Sequence, residues 1–290
     1  MIQIMKHIQE GRIWRKTDVY KDIRRANLCF LSCILFEVVG IFTMPFLGTV
    51  GAQMAIYFMT FLFAFFLADM HKDHLVIPYA KPKAGTMTAC IVLTVLGIPV
   101  AILLNAVAGL FSTSGADTVE DVIKYPLWLA LTAFAVVPAV VEEYVFRGVI
   151  LGEYLKTETS TAILLSSLFF ALLHFSLGSV MYGFFFGCVF ALVRTATENL
   201  IYTTAMHMTF NTVNVLLSYA DLSIIPVWAD LVFMAAGIVG FLLLCAFFFS
   251  KYKVDMTRKS RFKWYRLITK EGYVTIGVCI TVLGMLLMIE

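Results

Sequence analysis

Three spacings in this chain set polar chemistry inside apolar sequence. Glu142, Glu143 and Arg147 occupy the run Val141-Glu142-Glu143-Tyr144-Val145-Phe146-Arg147-Gly148, His174 follows Phe170 by four residues, and Asn211 follows His207 by four. Residues four apart share a helical face, so Glu143 can pair with Arg147. Glu142 is turned from Glu143 by about 100° and is free to point into a cavity. A charged group at the centre of a membrane span costs on the order of 3 kcal/mol, so it normally faces protein or water and marks function. A carboxylate in such a cavity can take a proton from water while an imidazole orients that water. The Asn211 amide and an N–H of His207 are suitable donors to a developing oxyanion. Together these groups suit hydrolysis of a peptide bond. A zinc version is also open, because Glu142, His174 and His207 make a two-histidine, one-carboxylate set with a free water position.

Each group also has a plainer reading when taken singly. Glu143 and Arg147 could be an ion pair at a helix end. His174 could be a packed histidine, and Asn211 a hydrogen-bonding glue between helices. Their depths favour a joint role: at about 1.5 Å per residue, Glu142 and His207 lie about 15 Å in from the same side of their spans, with His174 deeper. Glu37 and Arg194 are the other ionisable residues set within apolar runs.

The elements that must hold these residues are transmembrane helices. Of 290 residues, 61% are hydrophobic and 14% charged, and the mean hydropathy is +0.89, far from a soluble domain. A span needs about 20 apolar residues. Runs near 27–47, 52–70, 86–112, 126–152, 160–178, 179–196, 199–219, 226–250 and 273–289 meet or approach this. The expectation is an all-α polytopic membrane protein of about eight or nine transmembrane helices. It divides into a basic cytoplasmic segment, 1–26, and a single membrane domain, 27–290. The first run follows too long a polar stretch for a cleaved signal peptide and reads as a retained anchor.

Lysine and arginine collect in cytoplasmic loops. Residues 1–26 carry Lys6, Arg12, Arg15, Lys16, Lys21, Arg24 and Arg25, and the loop after residue 250 carries Lys251, Lys253, Arg258, Lys259, Arg261, Lys263, Arg266 and Lys270. Eight runs lie between the two, which puts both on the cytoplasmic side together with Lys72, Lys81 and Lys83. The acidic loop of Asp117, Glu120 and Asp121 then faces outward. The net charge of +3 is scattered, without the stripe that nucleic-acid binding requires. The six cysteines lie in apolar runs without paired metal-site spacing and read as reduced packing residues.

In these residues the chain resembles the CAAX protease and bacteriocin-processing family, also called the Abi family, which includes the type II CAAX prenyl endopeptidases. The family's EExxxR is matched by Glu142, Glu143 and Arg147, its FxxxH by Phe170 and His174, and its HxxxN by His207 and Asn211. Gly183 and Gly187 fall where members often carry GxxxG. The three motifs stand in order over a core of about 120–220. One departure is Arg194-Thr195-Ala196-Thr197-Glu198-Asn199-Leu200, where Ala196 replaces the Gly of a Thr-Gly turn and the loop reads as longer.

The resemblance implies an intramembrane glutamic endopeptidase, and the mostly short loops without a eukaryotic targeting signal point to a bacterial cytoplasmic membrane. Glu142 and His174 would activate water, His207 and Asn211 would serve the oxyanion, and Glu143, Arg147 and Phe170 would support them. It implies no cofactor, with zinc held by Glu142, His174 and His207 as the alternative. The implied partners are the lipid bilayer and a peptide or membrane-protein substrate, lipidated in some members, and no nucleic acid. Two rivals share the same residues: a proton-coupled transporter, against which the lack of repeat symmetry counts, and a non-catalytic immunity or scaffold protein.

Overall fold

The computed structural model of the chain describes residues 16–70, 75, 77–111, 122–220, 226–254, 256 and 267–289, without side chains at 16–18 and 286–289. Lys6, Arg12, Arg15, the Lys16 side chain, Lys72, the acidic loop and the basic residues 258–266 of the late loop lie outside the described residues. Within them the protein is all-α and has no strand. Eight helices follow in order: α1 (Lys16–Met70), α2 (Ala84–Ala108), α3 (Leu127–Tyr154), α4 (Thr159–Leu172), α5 (Leu177–Thr197), α6 (Leu200–Tyr219), α7 (Val227–Lys251) and α8 (Lys270–Ile289).

By length and composition five helices can cross a membrane, namely α1, α2, α3, α5 and α7. The 14 residues of α4 rise only about 21 Å, short of a hydrocarbon core of about 30 Å. Thr203, Thr204, His207, Asn211 and Asn214 dilute the hydropathy of α6.

α1 is two arms joined at Gly48. The glycine takes φ 68° and ψ 169°, a conformation that L residues rarely adopt. Phe36 and Phe63 would stand about 40 Å apart on a straight helix, yet their ring centroids are 6.2 Å apart. The sequence runs 27–47 and 52–70 are therefore antiparallel arms. The first begins at Lys16 rather than at 27, with Val19, Ile23 and Ala26 already buried.

α3 alternates between winding states. A π-helical stretch, Thr132–Val136, leads into the α-helical Val137–Glu143, and a second, Tyr144–Ile150, follows it. Pro138 has no N–H to give the preceding turn, and a widened turn just before it accommodates that loss. Hydrophobic periodicity gives no sign of either stretch. α4 and α5 pack closely at Gly187, where a Cβ would stand 3.0 Å from Ser167 Cβ and 3.1 Å from its Cα. That is the packing role of the small-residue pair noted in the sequence.

Two joints differ from the sequence reading. α4 stops at Leu172, α5 starts at Leu177, and Phe175 between them has φ 50°, so His174 sits in a turn and not within a span reaching 178. The joint before α6 is short, contrary to the expected longer loop. α5 runs on to Thr197, Glu198 takes the left-handed position at φ 51° that a glycine would normally hold, and Asn199 caps α6 by accepting from Ile201 N at 3.0 Å.

One face of the bundle is basic. Arg25 pairs with Glu153 at 2.9 Å and with Asp22, Lys156 joins Asp22 at 3.1 Å and also pairs with Glu153, and Arg24 reaches Glu271 at 2.7 Å. These contacts tie the first arm of α1 to the end of α3 and the start of α8. On the same side Leu75 approaches Gly152, and Ile77 approaches Gly148. The Lys83 N–H donates to Tyr202 Oη at 2.7 Å, and Thr86 bonds Tyr252 at 2.7 Å. On the opposite face Tyr219 Oη donates to Val122 O at 3.0 Å, and Gly178 lies against Asn105. The charged side chains described there are Lys124 and Asp230. All six cysteines are free thiols, four of them buried.

Candidate active site

The Val137–Glu143 segment presents its two carboxylates in different directions, as the 100° offset predicts. Glu143 is fully buried, and its Oε1 lies 3.0 Å from Arg147 Nη1, one turn away. The Arg147 guanidinium is buried as well. Its Cζ stands 4.1 Å from the Phe170 ring centroid and 5.5 Å from that of Phe190, and Nη2 donates to Gly187 O at 3.4 Å. A planar cation between two rings gains cation–π attraction that an ammonium in the same place would not reproduce with two directed donors.

Glu142 faces a cavity of about 900 Å³. Its Oε1 accepts from Tyr57 Oη at 2.7 Å, and its Oε2 has no hydrogen-bond partner. His207, on α6, stands between the glutamates: Nδ1 is 3.1 Å from Glu143 Oε1, and Nε2 is 3.8 Å from Glu142 Oε2. The second separation is too long for a hydrogen bond. Glu143 as a carboxylate only accepts, so Nδ1 of His207 carries a proton.

His174 is placed by the end of α4. Its Nδ1 lies 3.0 Å from Phe170 O, a carbonyl of the last turn that has no partner within the helix. A carbonyl only accepts, so Nδ1 bears hydrogen, and in the neutral ring Nε2 keeps its lone pair. Phe170 meets three site residues at once. Its face takes Arg147, and its ring packs edge-on against His174 at 5.1 Å and His207 at 5.5 Å. Asn211 lies one turn beyond His207 and lines the same cavity.

Glu142, His174, His207, Asn211 and Phe170 thus border one cavity, while Glu143 and Arg147 form a buried pair behind it. Tyr57, Gln53 and Glu37 also line the cavity. Glu37 stands out in the sequence as an ionisable residue, but no spacing links it to the motifs. Tyr57 is one tyrosine among 12 and carries no signal. Among the described residues no group of three His, Cys, Asp or Glu side chains is placed to hold a metal ion.

The fold and this arrangement define an all-α, multi-pass type of membrane protein with a polar cavity among its helices. Residues 124–213 match the family model described as type II CAAX prenyl endopeptidase, Rce1-like, consistent with the CAAX protease and bacteriocin-processing family. The matched segment contains all seven motif residues and neither Tyr57 nor Glu37. No curated protein and no solved structure matches the chain.

Proposed function

We propose that this protein is a glutamic intramembrane endopeptidase in which Glu142 is the general base. The observation that carries this reading is the state of the Glu142 carboxylate, with one oxygen anchored by Tyr57 and the other buried and without a hydrogen-bond partner beside His207. Glu142 takes a proton from water as the water oxygen attacks the scissile carbonyl. The Nε2 lone pair of His174 accepts the water's other hydrogen and orients it. Negative charge then develops on the carbonyl oxygen, where the Asn211 amide and His207 Nε2–H donate to it. With Nδ1–H already held by Glu143, donation from Nε2 requires the doubly protonated ring. Glu142 returns its proton to the leaving nitrogen as the C–N bond breaks, giving a carboxylic acid and an amine.

The supporting residues work through position. The Glu143–Arg147 pair orients His207, and Phe170 spaces the two imidazoles around the guanidinium. We place the basic face in the cytoplasm of a bacterial cell, with the N-terminus on that side, because basic residues are retained there during insertion.

The test is turnover of an internally quenched peptide library by purified protein, set beside proton-coupled uptake in proteoliposomes. Cleavage by the parent protein that is lost in Glu142→Gln and His174→Ala supports the protease reading. Uptake without cleavage would replace it with the transporter reading.

A further inference from the structure

We infer that Arg194 binds the phosphate of an anionic phospholipid headgroup, at the basic end of α5 and beside the strap 77–83 that leads into α2. The site lies apart from the cavity and needs neither the protease reading nor a choice of membrane orientation. Three of the four arginines among the described residues meet a carboxylate: Arg24 pairs with Glu271, Arg25 with Glu153 and Arg147 with Glu143. Arg194 does not. It is buried, with 5% of its surface left, yet its Nε has no hydrogen-bond partner and no carboxylate pairs with it among the described residues. Glu198, four residues on, leaves the helix at the left-handed cap and does not neutralise it. A guanidinium stays charged at any cellular pH, and a buried charge without a counter-ion is costly. An anion from outside the chain removes that cost.

The position fits a headgroup. α5 ends at Thr197 on the basic side of the bundle, so Arg194 lies about 5 Å inside that end. The strap crosses the joint between α5 and α6 and is pinned there. Leu200 N donates to Pro78 O at 3.1 Å, Asn199 Nδ2 to Ala80 O at 2.8 Å, and Lys83 N to Tyr202 Oη at 2.7 Å. Tyr79 on the strap is near enough for the charge of Arg194 to act on its phenol, and it is 58% exposed. Lys81 and Lys83 beside it are exposed as well. Tyrosine is enriched where a span meets the headgroup layer, and basic pockets between helices at that level suit acidic lipid headgroups.

A phosphodiester offers two free oxygens, which the planar fork of an arginine meets better than a lysine does. Lys81 and Lys83 add attraction from the surface. A headgroup is favoured over a free anion because its acyl chains already hold it in the bilayer, which presents the phosphate at high effective concentration. Arg194 does not line the cavity. Phe190, one turn earlier on α5, is the residue that does.

The test uses the full chain in nanodiscs of phosphatidylcholine, alone or with phosphatidylglycerol added. Phosphatidylglycerol should raise the melting temperature of the parent protein by about 5 °C or more, and native mass spectrometry should find it retained on the released chain. No shift in the parent would refute the inference. Arg194→Met should lose both the shift and the retained lipid. In phosphatidylcholine alone it should melt no lower than the parent, because it removes a charge that has no partner there. An equal loss of melting temperature in both lipids, or phosphatidylglycerol still retained, would make Arg194 structural and overturn the site. Should Arg194→Met fail to fold, Lys81→Gln with Lys83→Gln replaces only exposed side chains. That double variant should weaken phosphatidylglycerol binding by about fivefold or more without moving the melt in phosphatidylcholine, and unchanged binding would count against the site. Inorganic phosphate added to the phosphatidylcholine nanodiscs should give no shift. A shift matching that of phosphatidylglycerol would assign Arg194 to a free anion and discard the headgroup.

Discussion

Tyr57 donates its phenolic hydrogen to Glu142 Oε1 at 2.7 Å, joining the second arm of α1 to the carboxylate that borders the cavity. The donor lies outside the segment 124–213 that matches the family model. The amino-terminal hairpin therefore contributes a group to the site as well as a wall to the bundle. With Oε1 held, Oε2 is the oxygen to which the proposed reaction assigns the proton transfer.

Tyr57→Phe keeps the ring and removes the donor. A hydrogen bond to a charged group contributes about 1.5–3 kcal/mol, so kcat should fall by about 10- to 100-fold with KM little changed. A merely structural role would instead lower the melting temperature and leave kcat per folded molecule intact. That second pattern would rule out positioning.

Glu142→Gln preserves shape and the Tyr57 contact but cannot take a proton at the position of the base, and His174→Ala removes the orienting lone pair. Both variants should purify as folded protein and lose cleavage to background in the quenched-peptide assay. Full activity in Glu142→Gln would mean that the two carboxylates have been assigned each other's roles.

Glu143→Ala or Arg147→Ala leaves one charge buried without its partner. Breaking a buried pair costs on the order of 3–5 kcal/mol, so yield and thermal stability should both drop. Arg147→Lys should rescue little, because the guanidinium faces Phe170 and also reaches Gly187 O. The double variant Glu143→Gln with Arg147→Met should be more stable than either alanine variant. An additive loss of stability in the double variant would show that the pair is not coupled.

Prolonged dialysis against a strong chelator should leave activity unchanged, with zinc well below one per chain by elemental analysis. If one zinc per chain is found, and both the metal and the activity vanish in His174→Ala and His207→Ala, the metal-free chemistry is replaced and the peptidase reading stands.

The motif residues were legible because charge in an apolar run is rare and a four-residue spacing survives folding. Glu143 with Arg147 and Phe170 with His174 meet as that spacing predicts. The turn at His174 is less legible, because Leu172, Leu173 and Phe175 continue the apolar run through a joint where the imidazole donates back to Phe170 O. The π-helical stretches flanking Val137–Glu143 leave no trace in composition. The Tyr57–Glu142 bond spans 85 positions and arises only when the hairpin closes at Gly48. The glycine itself was visible, but its φ of 68° was not.

The partners of α3 also bear on biogenesis. As this helix leaves the ribosome it carries three charges toward lipid, at Glu142, Glu143 and Arg147. Two of them neutralise each other within a single turn, so the segment brings its own counter-ion into the translocon. The third, Glu142, finds its hydrogen-bond donor in Tyr57, which has already been synthesised and inserted with the hairpin. Phe170 and His174 follow with α4, and His207 and Asn211 arrive last, on α6, where His207 takes its place beside Glu143. Vectorial synthesis thus shelters the acidic groups first and completes the polar cluster last, so a nascent chain truncated before α6 would hold Glu142 in the membrane without His207 and Asn211 beside it.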